Sequence, residues 1–191
     1  QNRDAYGRTT DLTLVAGGQY TYAFERLFFM PSELTVGAEY NHNDLHDQII
    51  RLNRDLKQST NIIGGFFQNE WKSEKLSLLV GARIDKHNLV KNVVFSPRAN
   101  VRYSPTENVG LRVSYSSGYR APQAYNEDLH VDAVSGVLSI IRLDPDLKPE
   151  YSHSFSASVD LYRNFGKLQT NLLIEGFYTS LKDVFTLVRT D

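Results

Sequence analysis

Cysteine is absent from the 191 residues, which excludes a disulfide framework and any thiolate metal centre. A run of five like charges is also missing and the formal net charge is −1, so the chain lacks the basic footprint of a nucleic-acid binder. No apolar run approaches the roughly 20 residues of a membrane-spanning helix. The opening QNRDAYGRTT has neither an initiator Met nor the charged-then-apolar build of a secretion signal. The signatures G-x-G-x-x-G, G-x-S-x-G, H-E-x-x-H and the P-loop do not occur, and no motif fixes a pair of carboxylates for acid–base work. Neither catalysis nor a cofactor is expected. A transmembrane β-barrel passes all these filters, because it crosses the membrane without a spanning helix.

Helical spacing is scarce as well; what the chain has in abundance is a period of two. Leu12, Leu14, Ala16, Gly18, Tyr20, Tyr22 and Phe24 share one face, with Val15 and Ala23 as exceptions on the other. Leu34, Val36, Ala38 and Tyr40 oppose Thr35, Gly37, Glu39 and Asn41. Ile63, Phe67 and Trp71 form a less regular set, and Leu76 to Ile84 a clean one against Ser77, Gly81, Arg83 and Asp85. Ala99 to Tyr103, Val109 to Tyr115, Phe155 to Leu161 and Leu168 to Tyr178 complete eight strands, with a ninth expected near Val184. The pairs Gly17-Gly18 and Gly64-Gly65 fall inside strands and predict bends or bulges.

Short links (RLFFMPS, KSEK, SPTEN, RNFGK) alternate with long ones (42–59, 86–96, 118–150). In a meander this places tight turns at one end and long loops at the other, as in outer-membrane barrels. A soluble sandwich or lipocalin-like barrel is the competing arrangement, since alternation only requires one buried face. Two features favour the membrane. Tyr40, Trp71, Tyr103, Tyr115, Tyr162, Phe165 and Tyr178 cluster at predicted strand ends, where barrels carry aromatic girdles. Arg83, Arg102, Arg112, Asp160 and Glu175 stand mid-strand on the polar face, where a dry interior would penalise each charge by several kcal/mol. The predicted fold is all-β: an antiparallel meander of about 8–9 strands, part of a transmembrane barrel.

The run SPRANVRYSPTENVGLRVSYSSGYRAPQ (96–123), followed by DPDLKPEYSHSFSASVDL (144–161), resembles TonB-dependent outer-membrane receptors. That family has an F-R-A-P-like corner, here Tyr119-Arg120-Ala121-Pro122. It also has N-P-[DN]-L-[KR]-[PE]-E before the next strand, here Asp144-Pro145-Asp146-Leu147-Lys148-Pro149-Glu150. FFQNEWK and LLVGARID are similar to the preceding hairpin, and QAYNEDLH is most similar to receptors of Bacteroidetes-type bacteria. The resemblance implies residence in the bacterial outer membrane and contact with its lipid. It further implies energising by TonB and uptake of a small-molecule chelate of the siderophore-iron, haem or cobalamin class. Neither TonB box, plug domain nor terminal aromatic is found, so residues 1–191 are expected to be a single barrel segment. The alternative is a small structural or adhesive barrel, closed by pairing its first strand with its last. A membrane-embedded lipase would need a Ser–His pair on one face, and adjacent Ser152 and His153 point to opposite ones.

On the family reading, 119–150 is an extracellular loop, and Tyr125, Asp128 and His130 are ligand candidates. In haem receptors of the family a histidine between the two boxes ligates iron, and His130 is the only one there. A solvated loop histidine, a locally packed tyrosine and a chain-turning aspartate are the plainer readings. Tyr119, Arg120, Pro122, Pro145, Leu147, Lys148, Pro149 and Glu150 read as structural. Pro122 ends strand pairing, Arg120 is placed to bind a carboxylate at the loop base, and the later prolines set an extended return. HNDLHD (His42 to Asp47) puts two histidines and an aspartate at metal-ligand spacing in a predicted loop, without a fourth ligand, and no metal is assigned.

Overall fold

A computed structural model describes residues 7–49, 54–122 and 147–186. Eight strands form one antiparallel sheet in chain order: β1 (Gly7–Leu27), β2 (Met30–Ile49), β3 (Arg54–Lys72), β4 (Leu76–His87), β5 (Val94–Thr106), β6 (Val109–Arg120), β7 (Glu150–Phe165) and β8 (Leu168–Lys182). The ninth strand expected near Val184 is not present among the described residues. The chain leaves β8 through Asp183, at φ 55°, and 184–186 are irregular.

Tight connections, Phe28-Phe29, Ser73 to Lys75, Glu107-Asn108 and Gly166-Lys167, occupy one end. The predicted loop from His42 to Ser59 is a correction. β2 and β3 run through it as a regular ladder from Asn41↔Ile62 to Ile49↔Arg54. Apart from Leu45 and Leu56 the described side chains of this extension are polar on both faces, so the hydrophobic alternation that marks a strand in sequence is lost although the hydrogen-bond ladder continues. β6 likewise continues past Ser116 to Arg120, paired with Glu150. The glycine pairs produce no bulge: Gly17, Gly18, Gly64 and Gly65 sit in unbroken register, and among the described residues the shifts lie at Phe24/Leu27 and Tyr103/Thr106.

The sheet is one layer thick and has little apolar core. Among described residues the buried hydrophobics are Leu45, Ala82, Val90, Val94 and Ala121, outnumbered by buried polar ones. Large apolar side chains are instead exposed, most of them along one face, with Val15, Leu173, Phe177 and Leu181 as exceptions on the other. On the first face, cross-strand register aligns Tyr20↔Val36↔Phe67 and Tyr103↔Leu111, and Ile174 continues the second row beyond the half-buried Val159. This is the inverse of a water-soluble sheet. On β4 and β5 the apolar band runs from Leu78 to Ile84 and from Tyr103 to Phe95; about 9–11 residues suffice to cross a bilayer on a tilted strand. Strands β1 and β2, of 21 and 20 residues, therefore project well beyond the band on the long-loop side.

The aromatic positions follow from this geometry. Trp71, Tyr103, Tyr162 and Phe165 lie near the tight turns, whereas Tyr40, Tyr115 and Tyr178 are mid-strand, at the upper edge of the apolar band. The lower edge is pinned by Trp71, whose indole stacks on Phe29 at 5.5 Å and donates to the Leu27 carbonyl at 3.0 Å. At the upper edge Tyr115 stacks on His153 and their polar atoms meet at 2.9 Å.

Candidate functional site

The other face is polar, and its charges are ordered. Arg83 on β4 directs Nε at both carboxylate oxygens of Asp85 (2.8 and 3.0 Å) and Nη2 at Glu39 Oε1 on β2 (3.1 Å). Residues two apart on a strand share a face, which brings Arg83 to Asp85; register with β3 brings Glu39 opposite Gly64, itself opposite Asp85. Gly64 leaves room for this group, and a Cβ there would make the Asp85 carboxylate and the Arg83 guanidinium shift. Arg98 on β5 donates to Gln68 on β3. Beyond these, hydroxyls pair across β6 to β8, Ser114 bonding Ser156 at 2.6 Å and Ser154 bonding Thr179 at 3.0 Å, between the exposed Leu173, Phe177 and Leu181 of β8.

The loop-side end brings together Tyr119 to Pro122 and the described part of the second box, Leu147 to Glu150. Arg120 Nη1 lies 3.3 Å from Glu150 Oε2, and the guanidinium carbon sits 5.4 Å over the Phe185 ring. Glu150 Oε1 accepts the Phe185 backbone N–H at 2.6 Å, so one carboxylate joins β6, β7 and the chain leaving β8. Tyr119 and Tyr151 pack on Val90, Val94 and Ala121, while Pro122 and Pro149 are buried, Leu147 is half-buried and Lys148 is exposed. A cavity of about 340 Å³ opens here between Arg83, Asp85, His87, Tyr119 and Arg120. Sequence reasoning missed His87, which is 1% exposed and accepts the Leu89 N–H on Nδ1 at 3.0 Å. Its only signal was the position just past the apolar band on β4.

Tyr125, Asp128, His130 and Pro145 lie outside the described residues. HNDLHD belongs to β2. His42 Nε2 lies 3.2 Å from Asp44 and His46 Nε2 lies 2.6 Å from Asp55, so the two imidazoles engage separate carboxylates. No group of three such side chains able to hold a metal exists among the described residues. The His46 hydrogen bond, with Lys57 nearby, holds the Asp55 carboxyl below its usual range. Asp55 stands in the extension beyond the apolar band.

A long-stranded meander, apolar on one face and polar with ordered charges on the other, is the wall of a transmembrane barrel. A family model described as TonB dependent receptor-like, beta-barrel matches residues 1–191, and the chain belongs to that family of bacterial outer-membrane proteins. The siderophore receptor PirA of Pseudomonas aeruginosa is similar with TM-score 0.71 and 19% identity over 88% of this chain and 32% of that one. The ferric enterobactin receptor PfeA of the same organism gives TM-score 0.70 and 21% identity over 91% of this chain and 27% of that one. The alcaligin receptor FauA of Bordetella pertussis gives 0.60 and 16% over 96% and 31%. At these identities the likeness establishes the fold, and the chain spans about a third of the length of these receptors. No curated protein matches the sequence.

Proposed function

We propose that this chain forms part of the barrel of a receptor that imports a metal chelate of the iron–siderophore class, energised through TonB. The observation that carries the reading is the match of its eight-stranded meander to several siderophore receptors. The open sheet, with β1 and β8 as its edges, supports a larger barrel over a small one closed on itself. In this reading the apolar face meets lipid, the polar face lines the lumen, and the extension of β2 and β3 stands outside the cell. The Arg120–Glu150 clasp, with Tyr119, Pro122, Pro145, Leu147, Lys148 and Pro149, shapes the base of the loop between β6 and β7. Tyr125, Asp128 and His130 on that loop contact the incoming chelate.

The test is uptake by cells that lack other siderophore receptors and carry the complete receptor. Radio-iron delivered as a catecholate siderophore is expected to enter, and deletion of the host tonB is expected to abolish entry. Growth on haem without siderophore uptake would replace the siderophore reading. In that event His130→Ala is expected to remove the haem absorption spectrum, and an unchanged spectrum rules out His130 as the iron ligand.

A further inference from the structure

Among the described residues, strands β4 to β6 carry five arginines on the polar face, and three have partners. Arg83 is held by Asp85 and Glu39, Arg98 by Gln68 and Arg120 by Glu150. Arg102 on β5 and Arg112 on β6 are the exceptions. They are direct cross-strand partners, so two guanidiniums leave the same face side by side, and neither makes a hydrogen bond or ion pair with a described residue. Like charges placed directly opposite destabilise a strand pair, so this juxtaposition favours an occupant of opposite charge. Both line a cavity of about 690 Å³ near the tight-turn end. Lys75, Glu74, Glu107 and Asp160 line it too, but none of the three carboxylates forms a salt bridge with either arginine among the described residues. Asp160 is aligned with Gly110 and Arg112 with Ser158, which leaves that carboxylate one step along the strand from the pair.

We infer that Arg102 and Arg112 form a carboxylate-binding site on the lumen wall. Each guanidinium carries a fork of N–H donors that matches a carboxylate, and the register puts two of them on one face of adjacent strands. The carboxylate comes either from another part of the receptor polypeptide lodged in the lumen or from a free anion. The inference rests on the polar face lining the lumen, and is independent of which chelate is imported.

The experiment follows arginine Nε–H exchange by 15N NMR in the complete receptor in lipid nanodiscs, with signals assigned through Arg102→Lys and Arg112→Lys. Exchange about tenfold slower than for a solvated arginine is expected from charge-assisted hydrogen bonding. Slow exchange without added anion, unchanged by succinate, identifies a polypeptide carboxylate; slow exchange only after adding succinate identifies a free-anion site. Either result supports the inference. Fast exchange in both conditions overturns it, and so does slow exchange that disappears in Asp160→Asn, because the wall would then neutralise itself. Quenching of Trp71 fluorescence by brominated lipid, read separately on the same preparation, checks the orientation of the two faces. Unquenched Trp71 overturns the barrel reading together with the inference.

Discussion

Replacing Arg83 with Gln tests whether ordered charge on the lumen wall stabilises this barrel. The guanidinium makes three contacts between 2.8 and 3.1 Å, and the Asp85 side chain it neutralises is only 5% exposed. Removing one partner of a fully buried pair costs about 3–5 kcal/mol, because the remaining charge is stranded. Arg83 and Glu39 are 33% and 39% exposed, so water replaces part of what is lost, and glutamine retains one donor. Scaling for that exposure gives a loss of about 2 kcal/mol. The assay is urea unfolding of the receptor in liposomes, followed by circular dichroism, for Arg83→Gln, Asp85→Asn and the double variant. The double variant should be more stable than the sum of the single losses, by roughly 1–2 kcal/mol. A single-variant loss under about 0.5 kcal/mol with additive effects would refute the reasoning, since it would mean water screens the pair completely.

Gly37→Ala should destabilise by about 1–3 kcal/mol in the same assay, because a Cβ there meets the Phe66 ring and the Gly18 carbonyl at 2.9 Å. Trp71→Phe removes the hydrogen bond to Leu27 but keeps an aromatic surface, so a loss of about 1 kcal/mol is expected. An NMR titration should find Asp55 below the ordinary carboxylate range near 3.9 and returning toward it in His46→Ala. Because the folded-state value is depressed, the associated stability is present above the unfolded value and is lost as pH falls through the folded one.

Much of the fold was legible. Period-two alternation located all eight strands, and alternating link lengths separated the tight-turn end from the loop end. Where both faces are wet the signal failed: HNDLHDQI alternates nothing apolar, so the extension of β2 and β3 read as loop until the ladder from Asn41↔Ile62 to Ile49↔Arg54 was seen. The same ladder divided the histidines of His42 to His46 between separate carboxylates. Of the loop-base residues, Tyr119-Arg120-Ala121-Pro122 and Glu150 were recognisable by motif. Phe185, which completes the clasp, carries no local mark, because its contact depends on where β8 ends in space.

The sequence by itself determined that the protein is a sheet with one apolar and one polar face. That property is local, set by alternate side chains leaving a strand on opposite sides. Only the tertiary structure decided which charges meet. Glu39 and Arg83 are separated by β3 and by 44 positions in the chain, and Arg102 faces Arg112 solely through the register of β5 on β6. A one-residue slip would turn either side chain to the opposite face, so register is the quantity that converts a polar face into a site.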